Sequence, residues 1–247
     1  MDTASVESGP VPRRARLHLQ TRDEIKTLAR EQLYTEGIGA LSLRAVARGM
    51  GMASSAVYRY FGSREDLITA LCADAYNSMG EAMEAAVAGV GRAGPARRWW
   101  AMSHGMRIWA LERTSEFGLI WGAPVPGHRA DVSDTGPGSV RVMTLPLRIY
   151  ADAVADGAAD ADRAVGPADP AVGPMLRYFL DRTDPPCPPR LASLALNQMA
   201  CSLGVIALEA FGALPTLVVD PDAFYGAHVR AGMVGLGFAR TSVARLS

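Results

Sequence analysis

The chain has 247 residues, of which 49% are hydrophobic and 20% are charged, which is typical of a globular protein and excludes a disordered one. Its formal net charge is zero, which by itself weighs against nucleic-acid binding. The charge is unevenly distributed, however, because residues 11–66 carry a net +4 and the remainder a net −4. A basic N-terminal region on an acidic body is the distribution expected of a DNA-reading head whose body is kept away from DNA.

The cysteines and the apolar segments of the sequence indicate the cellular compartment in which the protein is expected. Cys72, Cys187 and Cys201 are far apart and form no CxxC or zinc-ligand pattern, which predicts free thiols, a reducing cytoplasm and no metal site. The N-terminus has no apolar run typical of a signal peptide. Residues 191–212 are long enough to span a membrane, but Asn and Gln interrupt them and Glu209 is costly at membrane depth. We therefore expect a helix buried in a subunit interface and no membrane association.

The first twenty residues are polar, contain two prolines and have no apolar periodicity. They predict a flexible basic arm over residues 1–19, in which Arg13, Arg14 and Arg16 form a cluster. Such arginines can enter an A·T-rich minor groove, where the potential is most negative. The alternative is a solvated tail without a partner.

A first helix is predicted over residues 21–37, because Thr21 and Glu24 form a capping box and apolar residues then recur at helical spacing. Two short helices follow, at residues 42–50 and 54–61. Ser42 is a plausible N-cap of the first, and Gly51 can take the left-handed conformation that ends it. Ser63 then caps a further helix, with Asp66 at the capping-box position.

Two helices joined by a tight glycine turn form a helix-turn-helix, whose second helix can enter a DNA major groove. The outward face of residues 54–60 carries small hydroxyls, a phenol and a cation, and it lacks a carboxylate that phosphates would repel. The alternative is an ordinary helical hairpin with a polar outer face.

Residues 21–71 resemble the DNA-binding domain of the tetracycline-repressor (TetR) family of bacterial regulators. The resemblance is carried by residues 21–37, by LSLRAVA at 41–47, by VYRYF at 57–61 and by SREDL at 63–67. Two residues depart from the family pattern. Arg64 stands where the family usually has Lys, a change that keeps a phosphate contact. Ala53 stands where the recognition helix usually begins on Ser or Thr; the cap can slip to Ser54, which leaves the base-reading residues open.

The resemblance implies a homodimer whose recognition helices enter successive major grooves of a palindromic double-stranded DNA operator. We expect Ser42, Tyr58, Tyr60 and Arg64 to hold phosphates, Arg44, Ser54 and Ser55 to approach base edges, and Arg59 to do either. With the arm, the candidate DNA-contacting residues are Arg13, Arg14, Arg16, Ser42, Arg44, Ser54, Ser55, Tyr58, Arg59, Tyr60 and Arg64.

The next helix is predicted from residue 64 to about 87, as a strut whose shift couples ligand to DNA in this family. Gly89, Gly91 and Gly94 then match GxGxxG, but a helix precedes them where a nucleotide fingerprint needs a strand. We interpret them as a flexible joint between head and body and expect no cofactor.

All four tryptophans fall between residues 99 and 121. Trp100, His104 and Arg107 share one face of a helix predicted over residues 96–113, and Phe117 and Trp121 follow on a short helix. Clustered aromatics and methionines with few polar groups are typical of a cavity for a small hydrophobic or amphipathic effector. The alternative is that the histidine and arginine are satisfied core or interface groups. The candidate effector-binding residues are Trp100, His104, Arg107, Phe117, Trp121, Tyr150, Met175, Phe179, Asn197 and Cys201.

The remaining elements are a loop at residues 122–139, which either covers a pocket or only connects, and helices over residues 139–159, 172–182, 191–212 and 222–238. Pro146 is expected to kink the first of these helices. The last two resemble the closing helices of a TetR-family body, which implies that they pair with their twins in a dimer. The body as a whole resembles the subgroup named for a Trp-His-Gly motif, whose ligands vary.

The chain lacks HExxH, GxSxG and P-loop patterns, and its four histidines are scattered, so an enzyme is the remote alternative. We predict an all-α protein with three parts: a flexible arm at residues 1–19, a three-helix helix-turn-helix domain at 20–66, and a helical ligand-binding and dimerisation domain at 67–247. The expected function is a cytoplasmic, ligand-responsive transcriptional regulator that acts as a repressor and is released by a small molecule. The alternative is a DNA-binding regulator without small-molecule control.

Overall fold

A computed structural model describes residues 12–122, 132–167 and 173–246 of the chain. These residues form α-helices and short 3₁₀ turns and contain no β-strand, which confirms the predicted all-α fold class. They divide into two compact units, Met1–Leu71 and Cys72–Ser247, which we call the head and the body.

The head is built from α1 (Arg13–Glu36), α2 (Leu43–Gly49), α3 (Ser54–Val57) and the first turns of α4 (Arg64–Gly89). Each helix turns one apolar stripe inward, as the periodicity predicts. The buried side chains of this core are Ile25, Ala29, Leu33, Leu41, Leu43, Val46, Ala47, Val57, Phe61, Leu67, Ile68 and Leu71.

The first helix begins eight residues earlier than predicted. It starts at Arg13, directly after Pro12, so residues 13–19 are helical and the predicted flexible arm is wrong over that stretch. The Thr21 capping box does not form, because Thr21 lies inside the helix and donates its hydroxyl to the carbonyl of Leu17. Residues 13–20 contain arginine, alanine, leucine and glutamine, all favourable in helices, and their summed propensity outweighs a local cap signal. The part of the arm at residues 1–11 lies outside the described residues.

The body continues α4 from Cys72 and adds eight further α-helices among the described residues. The helices are α5 (Pro95–Glu112), α6 (Thr114–Trp121), α7 (Val132–Ala155), α8 (Pro174–Leu180), α9 (Pro189–Ala210), α10 (Leu214–Leu217), α11 (Pro221–Gly235) and α12 (Arg240–Val243).

Helix α5 is central to the body, where it packs against α7 and α9. Its Trp99 and Trp109 are buried together with Tyr150 and Tyr225. The polar ends of these aromatic side chains are satisfied: Tyr150 donates to the Leu236 carbonyl at 2.8 Å, and Trp109 donates to a serine hydroxyl at 2.9 Å. Burying such large rings with their hydrogen bonds made gives a well-specified core.

Helices α4 and α5 cross at very short range. A Cβ added to Gly105 of α5 would lie 2.7 Å from the Cβ of Ala86 and 3.1 Å from the carbonyl oxygen of Ala82, both on α4. Only glycine fits at this crossing, because real Cβ contacts are longer.

Residues 89–94 form a turn between two helices, as expected from the absence of a preceding strand. Gly89 ends α4, Gly91 has φ +58°, and Gly94 is the N-cap of α5. The end of α4 and the whole of α5 belong to the body, so the interpretation of this turn as a joint between head and body is wrong.

Helix α7 breaks at a different place from the predicted kink. Its backbone is non-helical at Gly136, with φ 63° and ψ −154°, whereas Pro146 lies inside the helix. The helix also begins within the stretch predicted as a loop, of which residues 123–131 lie outside the described residues.

Helix α9 is long and apolar enough to cross a membrane by length and composition, but half of its most apolar window is buried in the body. Within the single chain the helix is therefore only partly covered, and its burial in a subunit interface stays a prediction. One face is exposed, and it is formed by Leu196, Asn197, Ala200, Cys201, Gly204 and Leu208.

Candidate nucleic-acid interface

A tight turn joins α2 to α3 and sets the position of α3. Gly51 has φ +64° and donates to the Arg48 carbonyl at 3.1 Å, while Met52 donates to the Ala47 carbonyl at 2.9 Å. These two bonds are the Schellman pattern that satisfies the last carbonyls of a helix. The left-handed glycine predicted from the sequence therefore ends α2 and reverses the chain into α3.

Helix α3 starts at Ser54, and Ala53 occupies the N-cap position without a side-chain cap, so the cap has not slipped to Ser54. Regular α-helix ends at Val57, four residues before the predicted end, and turn hydrogen bonds continue to Phe61. Val57 and Phe61 are almost fully buried and anchor this segment in the head. The anchored face leaves the opposite face turned outward.

The outward face of residues 42–61 contains three arginines and no carboxylate. Ser55, Tyr58, Arg59 and Arg44 are exposed, with Tyr58 at 46%, whereas Ser42, Ser54 and Tyr60 are half-buried. Ser42 is the N-cap of α2, as predicted, but its hydroxyl makes no capping bond. Arg48 is also exposed and was not among the predicted contacts; its place in the last turn of α2 was the signal available in the sequence.

Arg64 has a structural role that differs from the predicted phosphate contact. Its Nε donates to the carbonyl of Leu41 at 2.9 Å, and one of its amino groups donates to that of Ile38 at 2.6 Å. The guanidinium is half-buried and held against the loop before α2. Two of its five N–H groups are therefore used inside the head, which gives Arg64 a structural role that the sequence did not indicate.

The N-terminal arginines Arg13, Arg14 and Arg16 are exposed on α1 rather than on a mobile arm. The same helix carries His18, whose ring stacks on Tyr60 with centroids 4.7 Å apart and planes at 25°. Sequence reasoning missed this contact, because no periodic signal links residues 18 and 60.

The predicted effector-binding residues do not gather at one place. Trp100 and His104 are neighbours, with ring centroids 4.1 Å apart. Tyr150 and Phe179 are core side chains, Phe117 is fully buried, and Met175 is 48% exposed. Asn197 and Cys201 lie on the exposed face of α9, outside the body core.

Arg107 and His104 are satisfied by the protein, as the alternative interpretation held. Arg107 makes a bidentate contact with Glu209, at 2.7 and 2.5 Å, and also pairs with Asp222 at 2.6 Å. The hydrogen bond with Glu209 raises the pKa of Arg107. The Nδ1 of His104 lies 3.0 Å from the Trp100 carbonyl, and burial lowers the pKa of His104.

Trp121 is different, because its indole N–H is buried and has no hydrogen-bond partner among the residues that the structure describes. The ring stands edge-on to Tyr76 with centroids 6.0 Å apart. Burial raises the pKa of Tyr76 to about 12. A buried donor without an acceptor costs about 1–3 kcal/mol, so it is a natural contact for a bound acceptor.

Residues 25–71 match the family model described as bacterial regulatory proteins, tetR family, and residues 99–231 match the one described as tetracyclin repressor-like, C-terminal domain. The chain is 33% identical over 220 residues to the HTH-type transcriptional regulators Mb1846 of Mycobacterium bovis and Rv1816 of Mycobacterium tuberculosis. Each match covers 85% of this chain and 90% of the relative.

Solved structures share the whole fold. The crystal structure of SCO4313, described as a regulatory protein, has a TM-score of 0.69 and 32% identity, and the match covers 91% of this chain and all of that one. RolR in complex with resorcinol has a TM-score of 0.54 and 17% identity over 94% and 98% of the two chains, which shows a common fold. The matched helix-turn-helix, the matched body and the curated relatives agree: the chain belongs to the TetR family and is a transcriptional regulator.

Proposed function

We propose that the protein represses transcription by binding a palindromic operator as a homodimer, and that a small hydrophobic or amphipathic molecule releases it. The observation that carries the DNA-binding part is the outward face of residues 42–61, which is basic, rich in hydroxyls and free of carboxylates. Phosphate contacts need such a surface, since a carboxylate there would be repelled.

The polar groups of this face divide into two proposed roles. Ser42, Tyr58 and Tyr60 hold phosphates through their hydroxyls. Ser55 and Arg44 approach base edges with Ser54, and Arg59 is long enough for either task. The exposure of Arg44, Ser55, Tyr58 and Arg59 supports these roles.

The test is fluorescence anisotropy with two duplexes, one from the region upstream of the gene and one of scrambled sequence. Ser55→Ala is expected to reduce the ratio of the two affinities, since a base contact carries sequence preference. Tyr58→Phe is expected to lower both affinities alike. Wild-type protein that binds neither duplex at low salt would refute the proposal.

For the dimer, we propose the exposed apolar face of α9 together with the neighbouring face of α11. Leu208 is 47% exposed, Phe211 54% and Phe224 42%, although all three are large apolar side chains. An exposed apolar patch of this kind is typical of a protein interface. Leu208→Arg is expected to convert the dimer to a monomer in light scattering. Ile108→Arg is the matched control, since Ile108 is also an exposed apolar side chain, at 54%, but lies on α5.

For the effector, we propose a site that includes Trp121, because its buried indole N–H has no acceptor within the described part of the chain. RolR, which shares the fold, binds resorcinol, and this supports a small molecule with an oxygen acceptor as the class to screen. In a thermal-shift screen, a compound that binds this site should raise the melting temperature of the wild type but not that of Trp121→Phe. A ligand that saturates the protein and leaves operator binding unchanged would instead favour a regulator without small-molecule control.

A further inference from the structure

Two grooves flank the N-terminal half of α1, and their linings differ in charge. The first, here called the basic groove, is lined by arginines, a histidine and Tyr60 and contains no carboxylate. The second, here called the mixed groove, contains Arg16 beside Asp23 and Glu24. The charged and aromatic residues of the basic groove are Arg13, Arg14, His18, Arg59 and Tyr60.

The basic groove is physically continuous with the proposed recognition segment. The stack of His18 on Tyr60 joins α1 to the residues that follow α3. Arg22 adds a second link, because it donates to the Tyr60 carbonyl at 3.4 Å and its guanidinium lies 4.5 Å from the centre of the Phe61 ring. The N-terminal turns of α1 are therefore positioned by the same segment that carries Arg59.

Arg13 and Arg14 have no structural use within the described part of the chain. Both are exposed, and neither makes an ion pair or a hydrogen bond with another described side chain. They occupy the first turn of α1, which contains no acidic residue and has no side-chain cap. Cations at this end of a helix are disfavoured by about 0.3–1 kcal/mol each. Their position thus costs stability in the free protein, and an anion supplied from outside would remove that cost.

We propose that Arg13, Arg14 and Arg59 form a second phosphate-binding surface, which holds the DNA backbone beside the major groove occupied by α3. Arg16 takes no part, because Asp23 and Glu24 line the groove that it faces and would repel a phosphate. Residues 13–20 extend α1 by about 12 Å, which corresponds to roughly three or four base-pair steps. This inference rests on the proposed DNA binding and replaces the minor-groove arm with a rigid helical contact.

The experiment compares three variants with the wild type: Arg13→Ala/Arg14→Ala, Arg16→Ala and Arg13→Lys/Arg14→Lys. Affinity for a random-sequence duplex and for the operator is measured between 50 and 300 mM salt. A dimer loses four cations in the double alanine variant, so the slope of log K against log [salt] should become shallower by about three to four. The affinity for both duplexes should fall. Arg16→Ala and the double lysine variant should keep the wild-type slope.

The inference would be overturned if Arg13→Ala/Arg14→Ala kept the wild-type slope of log K against log [salt]. It would also be overturned if Arg16→Ala made the slope shallower by the same amount. Circular dichroism at each salt concentration checks that the alanine variants keep their helix content, and the lysine variant separates loss of charge from loss of helix. If the wild type binds no duplex at all, the proposed function fails. If the wild type binds and only the slopes coincide, the second surface alone fails.

Discussion

The guanidinium of Arg64 donates to the carbonyl oxygen of Leu41 at 2.9 Å, so the first residue of α4 holds the loop that leads into α2. A second bond, to Ile38, fixes the 3₁₀ turn before that loop. The position of the helix-turn-helix within the head thus depends on a cation that a motif comparison assigns to DNA.

Replacing Arg64 with alanine should destabilise the head by about 1–2 kcal/mol, because two hydrogen bonds from a charged, half-buried group are lost. DNA affinity should fall through the displaced loop, while the slope of log K against log [salt] stays at the wild-type value. The measurements are a thermal melt and the same salt titration. Arg44→Ala is the control for the thermal melt, since Arg44 is exposed and makes no such bonds. A slope shallower by about two in the Arg64→Ala dimer, without a change in melting, would restore the phosphate contact.

Gly51→Ala should lower the stability of the head by about 1–2 kcal/mol, because alanine at φ +64° carries the strain of the left-handed region. There is space for a methyl group at this position, so the backbone conformation is the sole cause expected. Gly39→Ala is a matched control in the same unit, with equal space and no positive φ. Denaturant titration of both variants measures the difference, and equal midpoints would contradict the strain.

Glu209→Ala should destabilise the body by about 2–4 kcal/mol, because it leaves Arg107 buried with a single remaining partner. The side chains of Arg107 and Glu209 are each only 8% exposed, whereas that of Asp222 is 86% exposed. Asp222→Asn should therefore cost much less. The double variant Arg107→Met/Glu209→Met should be more stable than Glu209→Ala, since no unpaired charge remains. Chemical denaturation of the four proteins checks the order.

The body should lose stability as the pH falls below 6.5. Burial lowers the pKa of both His104 and His228 from that ordinary value, so the unfolded chain binds protons in a range where the folded protein does not. The contribution of the two neutral histidines to the free energy of unfolding is fully present above pH 6.5. It is lost as the pH falls through their pKa values in the folded protein. Melting temperatures between pH 8 and pH 5 should drop less for His104→Gln/His228→Gln than for the wild type. Parallel curves would contradict this assignment.

The helices of the head were predictable because their signals are local. Gly51 ends α2, and Ser63 Oγ accepts the N–H of Asp66 at 3.0 Å at the start of α4, as the spacing indicated. The start of α1 was not predictable from Thr21, because a good capping signal can lie inside a helix when the preceding residues also favour helix. Arg64 shows a second limit, since a motif identifies a residue but not which partner it meets.

The body was predictable as a set of helices but less so as a site. Periodicity placed Trp100 and His104 together, since they are four residues apart on one helix. It could not show that Arg107 meets Glu209, because these residues lie 102 positions apart. The apolar pattern predicted a subunit interface for α9 but could not show which of its faces is exposed, since an apolar residue has the same pattern in a core and in an interface.

The contact of Gly105 with Ala82 and Ala86 limits how the body can rearrange. Two helices whose main chains nearly touch cannot slide past each other, because the next side chain along either one would collide. Any reorientation of α4 inside the body is therefore a rotation about this crossing point. The parts of α4 before and after residues 82–86 then tilt in opposite directions, and the N-terminal part is the longer one.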